Sequence, residues 1–153
     1  MRAEKAAPAY SSATMRQEAI FRPVCALALW TMAVLFLTGF SRIRAVRAGR
    51  LPRGAFRLGE SPEVPDDLKI WNRNLINLLE VPLLFYVACL VFYVAHLVTP
   101  RVVTLAWVYV ALRLLHSLIH LTNNRILPRL LAFAAGNVVL TFQWIHLARR
   151  LLF

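Results

Sequence analysis

Acidic side chains and cysteine are scarce in this chain. Asp and Glu together number 7 against 18 Lys and Arg, which leaves a formal net charge of +11. Nearly all of the excess is arginine. A nucleic-acid binder would gather these residues on one basic face, but here they flank apolar segments, so no nucleic-acid partner is expected. They set topology and meet lipid head groups instead. Cys25 and Cys89 lie inside apolar segments without CxxC spacing. That argues against a disulfide framework or a zinc site and reads as two buried thiols. A Gly-rich phosphate loop is absent, which counts against a nucleotide ligand. No internal repeat supports a channel or transporter subunit.

What the chain does have is apolar length. Of 153 residues 59% are hydrophobic, and the mean hydropathy is +0.60. These totals point to a small all-α integral membrane protein, a four-transmembrane-helix bundle in one domain. Residues 1–20 read as a tail and 21–153 as the membrane domain, with spans at about 23–41, 71–98, 101–121 and 129–150. The first span is long for a signal peptide and others follow, so it is read as uncleaved. A polar loop at about 45–68, punctuated by Gly and Pro, separates the first two spans. Asp66 or Asp67 is the expected N-cap of a second helix running to Val98, with a kink at Pro82. Ala132 and Gly136 have the small-xxx-small spacing that permits close helix approach. Asn137, Thr141 and Gln143 are expected to hydrogen-bond between helices. Arginine counts on the two sides put the long loop in the cytoplasm and both termini outside.

The stretch Trp71–Leu83 carries the first sign of function. On a helix, Arg73, Asn77 and Glu80 share one face at the mouth of a membrane span. Arg113, His116 and His120 share a face of the third span. The helices alternate in direction, so both triplets fall in the cytoplasmic half of the bundle. Arg42 closes the first span there and Arg129 opens the fourth. Ionisable groups at this depth face a bundle interior, a partner or a ligand. Their positive balance suits an anionic ligand that offers an ammonium or amide to Glu80 and Asn77, as glutathione would. Glu80 could instead pair internally with Arg73 or Arg113. No metal is expected, because His116 and His120 lack a third ligand beyond Glu80.

The motif RxxxNxxE at Arg73, Asn77 and Glu80, with a proline just beyond, resembles that of the MAPEG family, membrane-associated proteins in eicosanoid and glutathione metabolism. Arg113, His116 and His120, followed by Arg125 and Arg129, are similar to the third-helix motif of its glutathione-using members. TGFSRIR at the end of the first span, with Arg42, is similar too, and the chain looks more like the bacterial members. Two departures stand out: His120 replaces a tyrosine, and Leu130 replaces a hydroxyl residue. The resemblance implies a homotrimer in the bacterial inner membrane, with glutathione as cosubstrate between neighbouring copies near the cytoplasmic face. Arg42, Arg73, Asn77, Glu80, Arg113 and His116 are then the candidate binding residues, and Arg129 and His120 the candidate catalytic pair. The implied activity is a glutathione-dependent transferase or peroxidase acting on apolar electrophiles or lipid hydroperoxides. The alternative is a non-enzymatic lipid-binding protein of the same fold, an option that the missing tyrosine supports.

Overall fold

The computed structural model describes residues 16–52, 54–56 and 62–153. Most of the expected tail therefore lies outside the described residues. A 3-10 turn at Gln17–Ile20 leads into α1 (Phe21–Arg47). Then follow α2 (Asp66–Glu80), α3 (Pro82–Val94), α4 (Pro100–Leu121) and α5 (Ile126–Leu152). No strand occurs among the described residues. Four spans, Gln17–Arg47, Asp66–Val94, Pro100–Leu121 and Ile126–Leu152, are long and apolar enough to cross a membrane. The chain is a multi-pass membrane protein.

The helices turn much of their apolar surface outward, as lipid requires. On α1 the buried stripe is Pro23, Leu27, Thr31, Val34 and Thr38, at helical spacing, while Leu29, Phe36 and Phe40 are exposed. The Thr31 and Thr38 hydroxyls donate to the Leu27 and Val34 carbonyls at 2.9 and 2.7 Å, so neither is buried unpaired. Cys89 is buried, but Cys25 faces outward on α1, contrary to the expectation of two buried thiols. Its position falls between the buried residues of that stripe.

The expected second helix is two helices. Pro82 supplies no N–H to the carbonyl one turn earlier, and the break falls at Val81. The span also ends at Val94, short of Val98. His96 adopts a left-handed conformation (φ 55°), and the Leu97 and His96 amides donate back to Phe92 and Tyr93. This is a Schellman closure, which apolar content alone does not reveal. Gln17 secures the following turn, its amide bonding both the Val98 carbonyl and the Val98 N–H, at 3.3 and 3.1 Å. The start of α1 therefore lies beside the end of α3, and helix directions alternate as expected. Neither Asp66 nor Asp67 is an N-cap. Pro65 takes that place, and both acids sit in the first turn, where negative charge favours the helix dipole. Asp67 accepts a forked pair of bonds from Arg50 at 3.1 Å, tying the loop to α2. Beneath it Ala45, Leu51, Ala55, Val64 and Leu68 form a small second core.

α4 is the central helix and packs most extensively on α5. Gly136 faces α4: a Cβ there would meet Leu112 Cβ at 3.7 Å and Arg113 Nε at 3.9 Å. The small-residue pair Ala132/Gly136, both buried, thus serves contact within one chain. Those distances are ordinary contact, so Gly136→Ala is expected to leave the thermal midpoint within a few degrees of wild type. Gly136→Leu has no room for its branched end and should cost about 1–3 kcal/mol, read by unfolding in detergent. Equal effects of the two variants would contradict this packing. Of the expected interhelical bonders, Asn137 accepts from Arg113 at 2.8 Å. Thr141 instead donates to the Asn137 carbonyl of its own helix, because its side chain lies on the exposed face. Gln143 is buried, and neither of its polar side-chain atoms has a partner among the described residues.

Candidate functional site

α2, α4 and α5 enclose an open cavity of about 380 Å³. This is within the usual range of small-molecule sites, roughly 300–1,000 Å³. Five of the eight residues singled out in the sequence line it: Arg73 and Asn77 from α2, His116 and His120 from α4, and Arg129 from α5. Ile76, Ile126, Leu130 and Phe133 complete the wall. Ile126 and Leu130 are exposed on the outer side of α5, giving the cavity an apolar flank towards lipid.

Arg129 and His120 are organised by one residue that the sequence did not single out. Asn124 stands in the α4–α5 turn with φ 48°, and its amide N–H donates to the Ile119 carbonyl at 2.8 Å. Its side-chain oxygen accepts from Arg129 Nη1 and lies 3.0 Å from His120 Nδ1. An acceptor oxygen requires the proton on Nδ1, which leaves His120 Nε2 with a lone pair. Arg129 Nη1 and His120 Nδ1 are 3.3 Å apart, two donors converging on one oxygen. The signal in the sequence was the four-residue spacing of His120 and Asn124 across a helix end. Asn124→Gly is the clean test, since glycine keeps a positive φ without strain. In the glutathione chemistry proposed below, it should lower turnover by about tenfold or more, because Arg129 and His120 lose the acceptor that orients both, at unchanged fold. Wild-type turnover in this variant would remove Asn124 from the site.

His116 lies deeper. Its Nδ1 is 3.1 Å from the Arg129 carbonyl, so Nδ1 donates and Nε2 is the acceptor. That Nε2 is buried and has no partner among the described residues. Beneath the cavity Arg113 is 1% exposed. It donates from Nε to the Tyr109 hydroxyl at 3.0 Å and from Nη2 to Asn137 at 2.8 Å, and its guanidinium lies 4.8 Å from the centre of the Phe133 ring. Its Nη1 is without a partner among the described residues. A buried guanidinium without a carboxylate raises the positive potential of the floor.

Arg42, Glu80 and Arg113 do not line the cavity. Arg42 donates to Asn72 Oδ1 at 2.6 Å and lies over the Phe56 ring. Glu80 is on the exposed face of α2 and joins no ion pair among the described residues, so the internal pair with Arg73 or Arg113 is not formed. Ser117 is another residue the sequence did not mark. Its hydroxyl accepts from Trp30 Nε1 at 2.9 Å and Asn74 Nδ2 at 2.8 Å, joining α1, α2 and α4 behind the cavity.

Chemically the cavity is a cationic bowl with open acceptors. Arg73 and Arg129 offer two guanidinium groups. Asn77 donates its amide to the Arg73 carbonyl at 2.9 Å, and its own oxygen, without a partner among the described residues, can accept. With His120 Nε2, these groups match a ligand that has two carboxylates and N–H donors. Glutathione fits on those counts. Its ammonium finds no carboxylate in the cavity lining among the described residues, and Glu80 is on the exposed face of α2.

A family model, the MAPEG family, matches residues 20–149. No curated protein and no solved structure gives a match.

Proposed function

The chain belongs to the MAPEG family, a membrane protein of the glutathione- and eicosanoid-metabolism type, and from that premise we propose that it is a glutathione-dependent transferase or peroxidase. The observation that carries this reading is the convergence of Arg129 and His120 on Asn124, at a cavity shared with Arg73, Asn77 and His116. Glutathione would supply a thiol whose thiolate displaces an anionic leaving group from an electrophilic carbon to give a thioether, or attacks a peroxide oxygen with cleavage of the O–O bond. In the second case the alkoxide leaves as the alcohol after protonation, and the sulfenic acid condenses with a second glutathione to disulfide and water. Arg73 and Asn77 orient the peptide, and His116 forms part of the wall behind it. Arg129 stabilises negative charge at sulfur, where a free thiol has a pKa of about 8.5. His120 Nε2 accepts the thiol proton, the role that a tyrosine does not fill here. The exposed Ile126 and Leu130 flank admits apolar electrophiles or lipid hydroperoxides laterally from the bilayer.

The working assembly in this proposal is a homotrimer in the bacterial inner membrane, with the site near the cytoplasmic face. The exposed α2 face, carrying Arg73, Ile76 and Glu80, supports that reading, since ionisable groups in a span are costly against lipid. A neighbouring copy would bring Glu80 and Arg42 to the peptide. The test is a glutathione titration of the detergent-purified chain, followed by ultraviolet thiolate absorbance. Saturable absorbance at neutral pH is the expected result. Absence of binding at millimolar glutathione, with helicity intact, overturns the enzyme reading in favour of a lipid-binding protein of the same fold.

A further inference from the structure

A second cavity lies at the opposite end of the α4–α5 pair. It has a volume of about 500 Å³. Val102 and Leu105 of α4 and Phe142 and Ile145 of α5 form its apolar floor, and Arg101, His146 and Arg149 ring it. The glutathione reading makes no use of any of these residues. On α4 the nearest lining residues of the two cavities, Leu105 and His116, are eleven positions apart, or about 16 Å at ~1.5 Å per residue.

The arrangement is graded along the membrane normal. Arg101 lies in the first turn of α4 and Arg149 in the last turn of α5. Leu105 is one turn deeper than Arg101, and Phe142 two turns deeper than Arg149, or about 6 and 10 Å. The cations therefore sit where head groups lie and the floor where acyl chains lie. Neither arginine joins an ion pair among the described residues. His146 stacks on Phe92, with ring centres 6.0 Å apart, which anchors the imidazole at the rim.

We propose that this groove is a binding site for an anionic phospholipid. Arg101 and Arg149 hold the phosphate from two helices, and one acyl chain lies along Leu105, Phe142 and Ile145. Charge selects the ligand: two unpaired guanidinium groups converge on one groove, whereas a zwitterionic lipid would bring its own cation among them. A free phosphate ion would leave the apolar floor uncovered, so the groove recognises the amphiphile rather than the anion. Such a lipid would clamp the open ends of α4 and α5, which no loop joins at this end.

The test is native mass spectrometry of the full-length chain in a neutral detergent, titrated with phosphatidylglycerol or phosphatidylcholine. Phosphatidylglycerol should bind more tightly, on the order of tenfold. R101Q/R149Q should lose that preference, while R150Q, which alters a neighbouring exposed arginine outside the groove, should keep it. Leu105→Trp, which fills the floor and leaves the charges intact, should also weaken phosphatidylglycerol binding; it decides the matter if the double variant does not fold. Millimolar inorganic phosphate should displace no lipid. Equal binding of the two lipids, an R150Q loss as large as that of the double variant, unchanged binding in Leu105→Trp, or displacement by phosphate would each overturn the proposal.

Discussion

Arg129→Leu should abolish the thiolate absorbance of bound glutathione and lower turnover by about 10²–10³-fold, the usual effect of removing one fixed group that stabilises a developing anion. The physical reason is position. Arg129 is half-buried at the cavity wall, and its Nη1 is held by Asn124 beside His120. In the proposed reaction its charge would act close to the glutathione sulfur in a partly desolvated site, where electrostatic interactions exceed their strength in water. Leucine keeps the apolar part of the side chain, so helix packing should survive. Glutathione affinity should fall far less than turnover, because Arg73, Asn77 and His116 line the same cavity independently. The measurement is the pair of titrations, absorbance for thiolate and calorimetry for binding. If thiolate still forms in Arg129→Leu, the charge at sulfur comes from elsewhere, and the buried Arg113 becomes the next residue to change.

Ser117→Ala is expected to be the most destabilising removal of a single oxygen in the bundle. The hydroxyl is fully buried and accepts from both Trp30 Nε1 and Asn74 Nδ2. Alanine fits the space but leaves two donors without an acceptor. At roughly 1 kcal/mol for each orphaned donor, the loss should be about 2 kcal/mol. The sign of this effect depends on the partners. Replacing Trp30 by phenylalanine in the Ser117→Ala background removes one orphan, so the double variant should cost less than the sum of the two single ones. Reversible unfolding in mixed micelles measures all three. Strict additivity would mean that Ser117 is not the junction of α1, α2 and α4.

Arg129 and Ser117 are marked very differently in the amino-acid sequence. Arg129 was legible because alternating spans bring it to the same depth as Arg73, His116 and His120, and because its spacing after them resembles the family motif. Ser117 was not: a serine inside an apolar helix is common, and only packing shows which two donors reach it. Asn124 lies between these cases. Its spacing from His120 is written in the chain, but its positive φ and its two donors belong to the folded turn.

The sequence by itself determined the number of spans, their alternating direction and the end of the bundle at which the polar groups gather. Those follow from hydrophobic length and from the cost of charge in hydrocarbon, both local properties of the chain. Only the tertiary structure decided where the second span ends and which polar residues share a cavity. Pro82 marks the break at Val81 in the chain itself, whereas the left-handed His96 closes the span through backbone bonding that the apolar run Val81–Val98 conceals. Arg73, Asn77 and Glu80 occupy one broad face of α2, yet Arg73 and Asn77 line the cavity and Glu80 does not. Helical spacing sets angular position, whereas a cavity is set by the neighbours on either side. Those neighbours, α4 and α5, pack directly on each other at Gly136, and Arg113 is buried between them.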